Sequence, residues 1–154
     1  MPITNNMKKI PEIQKYIVEL TDILRHEIRS FNTIIELLIL EEKGLIESDN
    51  QLIVKVLEKQ EDVFSSIACL EKSRMNIISK IAENSGMIHE SLTISKIASF
   101  AEEPYKCELL ETAHVLSKIN KDIGKRKNSN STLIKQGMVM IEGNIRFLLK
   151  ALGK

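Results

Sequence analysis

The sequence predicts an all-α fold: an elongated antiparallel helical bundle with coiled-coil-like packing, built from a long helical hairpin, a short connecting helix and a long C-terminal helix. Three observations predict it. Apolar residues recur at three- and four-residue steps along most of the chain, the spacing that lines one face of a helix. Ile and Leu are abundant while Trp is absent and there are four Phe and two Tyr, a composition suited to helices with few aromatic anchors. The prolines stand at positions 2, 11 and 104, so no long periodic run is interrupted by a residue that lacks the backbone donor. At 154 residues the chain suits a single helical domain, residues 1–154, with a real core.

Pro11 fits an early helical position, where its missing N–H has no intrahelical acceptor to lose. From there Ile13, Ile17, Leu20, Leu24, Ile28, Phe31, Ile35, Leu38 and Leu45 predict a first helix over 11–47. Around IIELLIL, residues 34–40, the pattern becomes apolar nearly all round, so this part is expected to lie deepest. Ser48, Asp49 and Asn50 are short polar residues that compete for backbone groups and cap the next helix. A second helix over 50–83 follows from Ile53, Val56, Leu57, Val63, Phe64, Ile67, Leu70, Ile77 and Ile81, whose near-heptad spacing suits shallow packing against the first. Gly86, after Asn84 and Ser85, can take the left-handed conformation that closes a helix. A short helix over 92–101 offers Leu92, Ile97 and Phe100 to the end of the bundle. Glu102, Glu103 and Pro104 begin a C-terminal helix over 104–152, with acids at its positive end. Leu109, Ala113, Leu116, Ile119 and Ile123 form its buried face, and GKRKNSNST at 124–132 contains no apolar residue. A break or hinge near 124–132 is therefore expected, with an exposed helical bridge as the alternative.

Charge is uneven along the chain. From Lys118 to Lys154 nine basic residues face two acidic ones, whereas the rest has 13 basic against 19 acidic. Such asymmetry can mark nucleic acid or an acidic partner. With no aromatic interleaving apart from Phe147 and no recognisable nucleic-acid module, nucleic acid is not expected as a partner. MPITNNMKK at the start has no apolar core for a signal peptide, and the longest apolar cluster is short and contains Glu36. Neither secretion nor stable membrane insertion is expected.

Catalytic chemistry has no visible seat. Neither a glycine-flanked nucleophile turn nor a phosphate loop occurs. Glu111 and His114 have the i, i+3 spacing used in di-iron bundles, but neither His26 nor His89 has a glutamate at i−3, so the set is incomplete. A surface ion pair is the simpler reading. Cys69 and Cys107 lack metal-type spacing and read as reduced, mostly structural thiols. The Asn130-Ser131-Thr132 sequon reads as a polar helix break. No enzyme activity, cofactor, catalytic residue or metal site is expected.

The segment LIKQGMVMIEGNIRFLLKAL, 133–152, has more apolar surface than one neighbour can use. Ile134, Met138, Ile141, Ile145, Leu148 and Leu152 form one stripe, and Leu133, Met140 and Phe147 form a second about 120° away. Gly137 and Gly143 each disfavour helix by about 1 kcal/mol relative to alanine. Met138 and Met140 suit adaptable contacts. These nine apolar residues are the candidate partner-binding residues, the first stripe expected against the bundle and the second against a partner. Self-association into a homo-oligomer, as a structural coiled-coil protein, would use the same surface.

Three stretches carry a resemblance to a known family: IIELLILEEKGLIESDNQLIVKVLEKQEDVFSSIACLEKSR at 34–74, LTISKIASFAEEPYKCELLETAHVL at 92–116 and NSTLIKQGMVMIEGNIRFLLKAL at 130–152. The first resembles the leucine- and glutamate-rich hairpin of the FlgN-type flagellar export chaperones, with Arg74 as the arginine that closes the second helix. The third resembles that family's Asn-x-x-Leu-Ile pattern, here Asn130, Leu133 and Ile134, followed by an amphipathic helix. The resemblance implies a cytoplasmic chaperone that keeps hook–filament junction proteins unpolymerised and delivers them to the flagellar type III export apparatus. It further implies that the C-terminal helical segments of these clients bind the chaperone's own C-terminal region, here residues 130–152.

Overall fold

The structure, a computed structural model, describes residues 11–153. The stretch MPITNNMKK and Lys154 lie outside them. Three long helices dominate: α1 (Pro11–Glu47), α2 (Asn50–Ser85) and α4 (Tyr105–Ala151), with a 3-10 turn (His89–Ser91) and a short α3 (Ile94–Ala98) between α2 and α4. There is no strand among the described residues. The fold is an all-α helical bundle. The chain divides into two compact units, one formed by residues up to 33 with 62–120, the other by 34–61 with 121 onward. Each long helix contributes to both, because helices of this length carry two separate sets of packing contacts.

Burial explains why these sequences form these helices. On α1 the covered positions include 13, 17, 20, 24, 27, 31, 34, 38, 41 and 45; on α2, 53, 56, 60, 63, 67, 70, 74, 77 and 81; on α4, 109, 112, 116, 119, 123, 126, 130, 133 and 137. Each series alternates steps of three and four. Several members are polar: Glu27, Glu41, Gln60, Arg74, Thr112, Arg126 and Asn130. A polar residue in such a row selects register at some expense of stability. Here Glu27 and Glu41 stand two heptads apart on α1, as Arg74 and Gln60 do on α2, and the pairs they form, Glu27 with Arg74 and Glu41 with Gln60, belong to one antiparallel register.

The unit of α1, α2 and α4 residues below 34 and between 62 and 120 has the main apolar core. Ile13, Ile17, Leu20 and Leu24 from α1 meet Ile77 and Ile81 from α2, Leu109 and Leu116 from α4, and the connection residues Leu92, Ile97 and Phe100. The last three are the side chains proposed from sequence to cover a bundle end, and all three are buried. Thr93 caps α3 by accepting from the Lys96 N–H (3.1 Å). Gln14 holds the following loop, donating to the Phe100 carbonyl (3.1 Å) and accepting from the Glu102 N–H (3.2 Å). At the surface Arg25 forms a fork with both Glu108 oxygens and reaches Asp22 (2.9 Å).

Several boundaries differ from those read in the sequence. α2 runs to Ser85, because Gly86, at φ +70°, supplies the left-handed turn and Met87 N–H reaches back to the Ala82 carbonyl (3.2 Å), which satisfies the last turn. The helix expected over 92–101 is shortened to the five-residue α3, preceded by the 3-10 turn at His89–Ser91. α4 begins at Tyr105, just after Pro104. Most important, α4 is unbroken through 124–132. Arg126 and Asn130 continue its covered row with polar side chains, so the row persists where apolar residues stop.

Glu27 is the one fully buried carboxylate of this unit, paired with Arg74 at 3.0 Å. Burial pushes its carboxyl above the ordinary carboxylate range; Arg74 opposes that shift and Glu71 adds to it. A carboxyl whose folded value exceeds its unfolded value lowers stability as pH rises through the window between them, and that loss is regained as pH falls. Arg74→Met removes the compensating charge and is expected to destabilise the fold by about 3–5 kcal/mol at neutral pH. Thermal melts of both proteins at neutral and mildly acidic pH check this, since the deficit should narrow in acid as Glu27 takes a proton. An equal deficit at both would show that the lost ion pair is not its source.

Candidate partner-binding site

The second unit is organised around its turn and one polar cluster. α1 ends at Glu47 and Ser48 turns the chain at φ +54°. Asp49 then caps α2 by accepting from the Leu52 N–H at 3.1 Å, as the Ser48-Asp49-Asn50 composition implies. Gly44 allows α1 and α2 to approach closely, since a Cβ there would stand 2.9 Å from Ile53 Cγ1. Ile34, Leu37, Leu38 and Val56 are buried in this unit.

Above them Asn130 of α4 is 3% exposed; its side-chain amide donates to the Leu38 carbonyl (3.0 Å) and to Glu41 Oε2 (3.1 Å). Gln60 donates to the same carboxylate oxygen (3.1 Å). Asn130 Oδ1 meets no hydrogen-bonding partner among the described residues. This orientation of the amide is the right one, because the reverse would set an oxygen against the Glu41 carboxylate. A small cavity of about 190 Å³, lined by Leu38, Glu41, Gln60, Lys127, Asn130, Ser131 and Ile134, lies beside the cluster.

Glu41 lies less than two turns before α1 ends, yet α4 continues from Asn130 to Ala151. Cover is lost accordingly. Leu133 and Gly137 are half-buried, and every residue from Met138 to Gly153 is exposed. The helix outruns the hairpin that would cover it.

The nine candidate residues therefore separate differently from the reading above. Ile134, Met138, Ile141, Ile145, Leu148 and Leu152, expected against the bundle, are all exposed, from 43% at Ile134 to 71% at Leu152. Leu133, expected to face a partner, is half-buried. Met140 and Phe147 are exposed, Phe147 at 72%, although they follow Leu133 at heptad intervals on the row that faces the bundle earlier in α4. The reversal has a definite cause. Counting only apolar residues broke the row at Ile123, whereas Arg126 and Asn130 carry it to Leu133.

IIELLIL is also less enclosed than expected, since Ile39 and Leu40 are 45% and 40% exposed. On α2, Leu57 and Phe64 are exposed while Gln60 is buried. Sequence reading missed Glu41, Gln60 and Asn130 as a group; heptad counting that admits polar members would have found them.

Other candidate chemistry stays dispersed. Glu111 and His114 are exposed. Cys69 and Cys107 are exposed free thiols, which corrects the structural role expected of them. Among the described residues no group of three or more His, Cys, Asp or Glu is placed to hold a metal, and no helix is long and apolar enough to cross a membrane.

What the geometry defines is a helical-bundle protein that presents the uncovered end of a long amphipathic helix. The FlgN protein family matches residues 7–154, and the chain belongs to that family of flagellar export chaperones. Comparison with curated proteins and with solved structures gives no match.

Gly137 and Gly143 sit within the uncovered helix with open space where a Cβ would be. Replacing both with alanine is expected to favour the helical state by about 1 kcal/mol per site, since neither change meets a neighbour. Hydrogen exchange should show slower amides across 138–151. Unchanged exchange would mean that the glycines do not limit the helix.

Proposed function

We propose that this chain is a cytoplasmic chaperone that binds the C-terminal helical segments of hook–filament junction proteins through α4, holds them unpolymerised and delivers them to the flagellar type III export apparatus. The observation that supports this most is the run of α4 from Met138 to Ala151, helical, rich in large apolar side chains and uncovered on all sides. Large exposed apolar surface marks an interaction site. An amphipathic helix lacking its neighbours accepts a client helix as the missing part of a bundle.

The contact set follows from exposure. Met140 and Phe147 lie on the row that has lost its cover, with Ile141, Ile145 and Leu148 beside them. Leu133 is half-buried, which supports leaving it out of the contact set. Fully burying each large apolar side chain contributes roughly 1.5–3 kcal/mol before ordering costs, so micromolar affinity, about 8 kcal/mol, requires more of the tail than Met140 and Phe147 alone.

Met140→Ser with Phe147→Ser is expected to weaken binding of a hook–filament junction protein's C-terminal segment by about 3–6 kcal/mol. The melting temperature of the free protein should stay the same, because both side chains are exposed. Titration calorimetry beside thermal melts reads both effects, and unchanged affinity would refute the assignment.

A chain ending after Gly137 should melt as the full chain does, since the Asn130 cluster is retained, while losing the client. A lowered melting temperature would instead place the tail in the stable core.

A further inference from the structure

The covered row of α4 continues past its cover without a change of phase. After Leu133 and Gly137 it passes through Met140, Asn144, Phe147 and Ala151, at the same alternating steps. Asn144 therefore repeats the position of Asn130 two heptads later. Asn130 at that position is buried and its side-chain N–H groups are taken up by the Glu41 carboxylate and a carbonyl of α1; Asn144 is exposed. An asparagine in an otherwise apolar row is costly to cover unless the covering helix supplies a hydrogen-bonding group.

The surrounding charge is net positive. Between Lys135 and Lys150 the tail has Lys135, Arg146 and Lys150 against Glu142, and Arg146 and Glu142 approach only to 3.8 Å with both side chains well exposed. Two such tails packed together would set like charges against each other. An acidic helix is attracted instead. At Gly137, where nothing lies within 4 Å of a Cβ position, a large partner side chain has room.

We infer that the partner of this surface is an acidic amphipathic helix that extends the α4 row and sets a carboxylate against Asn144, as Glu41 is set against Asn130. This rests on the proposed function and adds the chemistry of the recognised helix. Asn144 thereby selects register and partner, while Met140 and Phe147 on either side of it supply apolar contact.

The test uses the full chain and synthetic amphipathic helical peptides with leucine heptads and acidic flanks, identical except for Glu, Lys or Leu at one central position of the apolar row. Calorimetry should show the Glu peptide binding about tenfold or more tightly than the Lys peptide, as expected for a hydrogen bond to a charged group. In Asn144→Leu that ratio should fall to what the neighbouring basic side chains alone sustain, and the Leu peptide should bind best. The melting temperature of Asn144→Leu should match the parent, which shows that the fold is intact. An undiminished Glu-to-Lys ratio in Asn144→Leu, equal binding of all three peptides by the parent, or binding of none would overturn the inference. A hook–filament junction segment titrated in parallel separates the two readings. If it binds through Met140 and Phe147 while the peptides show no discrimination, only the acidic-helix inference falls; if it does not bind, the proposed function falls.

Discussion

Asn130 against Glu41 and the Leu38 carbonyl is the contact on which the arrangement of α4 in its unit depends. A buried amide finds few partners in an apolar interface, so a helix carrying one settles where an acceptor is already placed. Glu41 is that acceptor, itself held by Gln60. Sliding α4 by one turn would leave the buried amide unpaired and the Glu41 carboxylate with Gln60 alone, at a cost of about 1–3 kcal/mol. Register thereby follows from polar groups, and the apolar side chains around them supply the bulk of the burial. Glu27 and Arg74 play the corresponding part for α1 and α2 in the other unit.

Once that register is set, the length of the helices decides the site. α1 turns into α2 at Ser48 and Asp49, soon after Glu41, while α4 has its amide at 130 and continues to Ala151. Nothing in this unit reaches far enough to cover the remainder. Exposed apolar surface at Met138 to Leu152 is thus a geometric consequence of unequal helix lengths measured from one buried contact. A bundle left incomplete in this way keeps apolar surface that a bundle covering itself would not have. Membership of the FlgN family gives this surface its biological setting.

The tail combines strong apolar content with weak intrinsic helicity. Gly137 and Gly143 lower helix propensity where no tertiary contact offsets it. Under the proposed function, cover of the tail would stabilise helix and interface together, so affinity would depend on the length of the segment covered as well as on any one anchor. The basic excess of the same segment favours encounter with acidic partners and discourages pairing of two tails.

The all-α class, the capped turn at Ser48 to Asn50, the stop at Gly86, the burial of Leu92, Ile97 and Phe100 and the surplus of apolar surface over residues 133–152 were legible in the sequence. Each depends on local chemistry: apolar spacing, capping side chains, a glycine free to adopt positive φ, or more apolar surface than one helix face can hide. The unbroken course of α4, the exposure of Ile39 and Leu57, and the half-burial of Leu133 where Ile134 was expected inside were decided only by the tertiary structure. The reason is that Asn130 looks like an indifferent helix former until the positions of Glu41, Leu38 and Gln60 are known. A buried amide and its acceptor lie far apart in the chain, and no periodicity within either helix states that they meet.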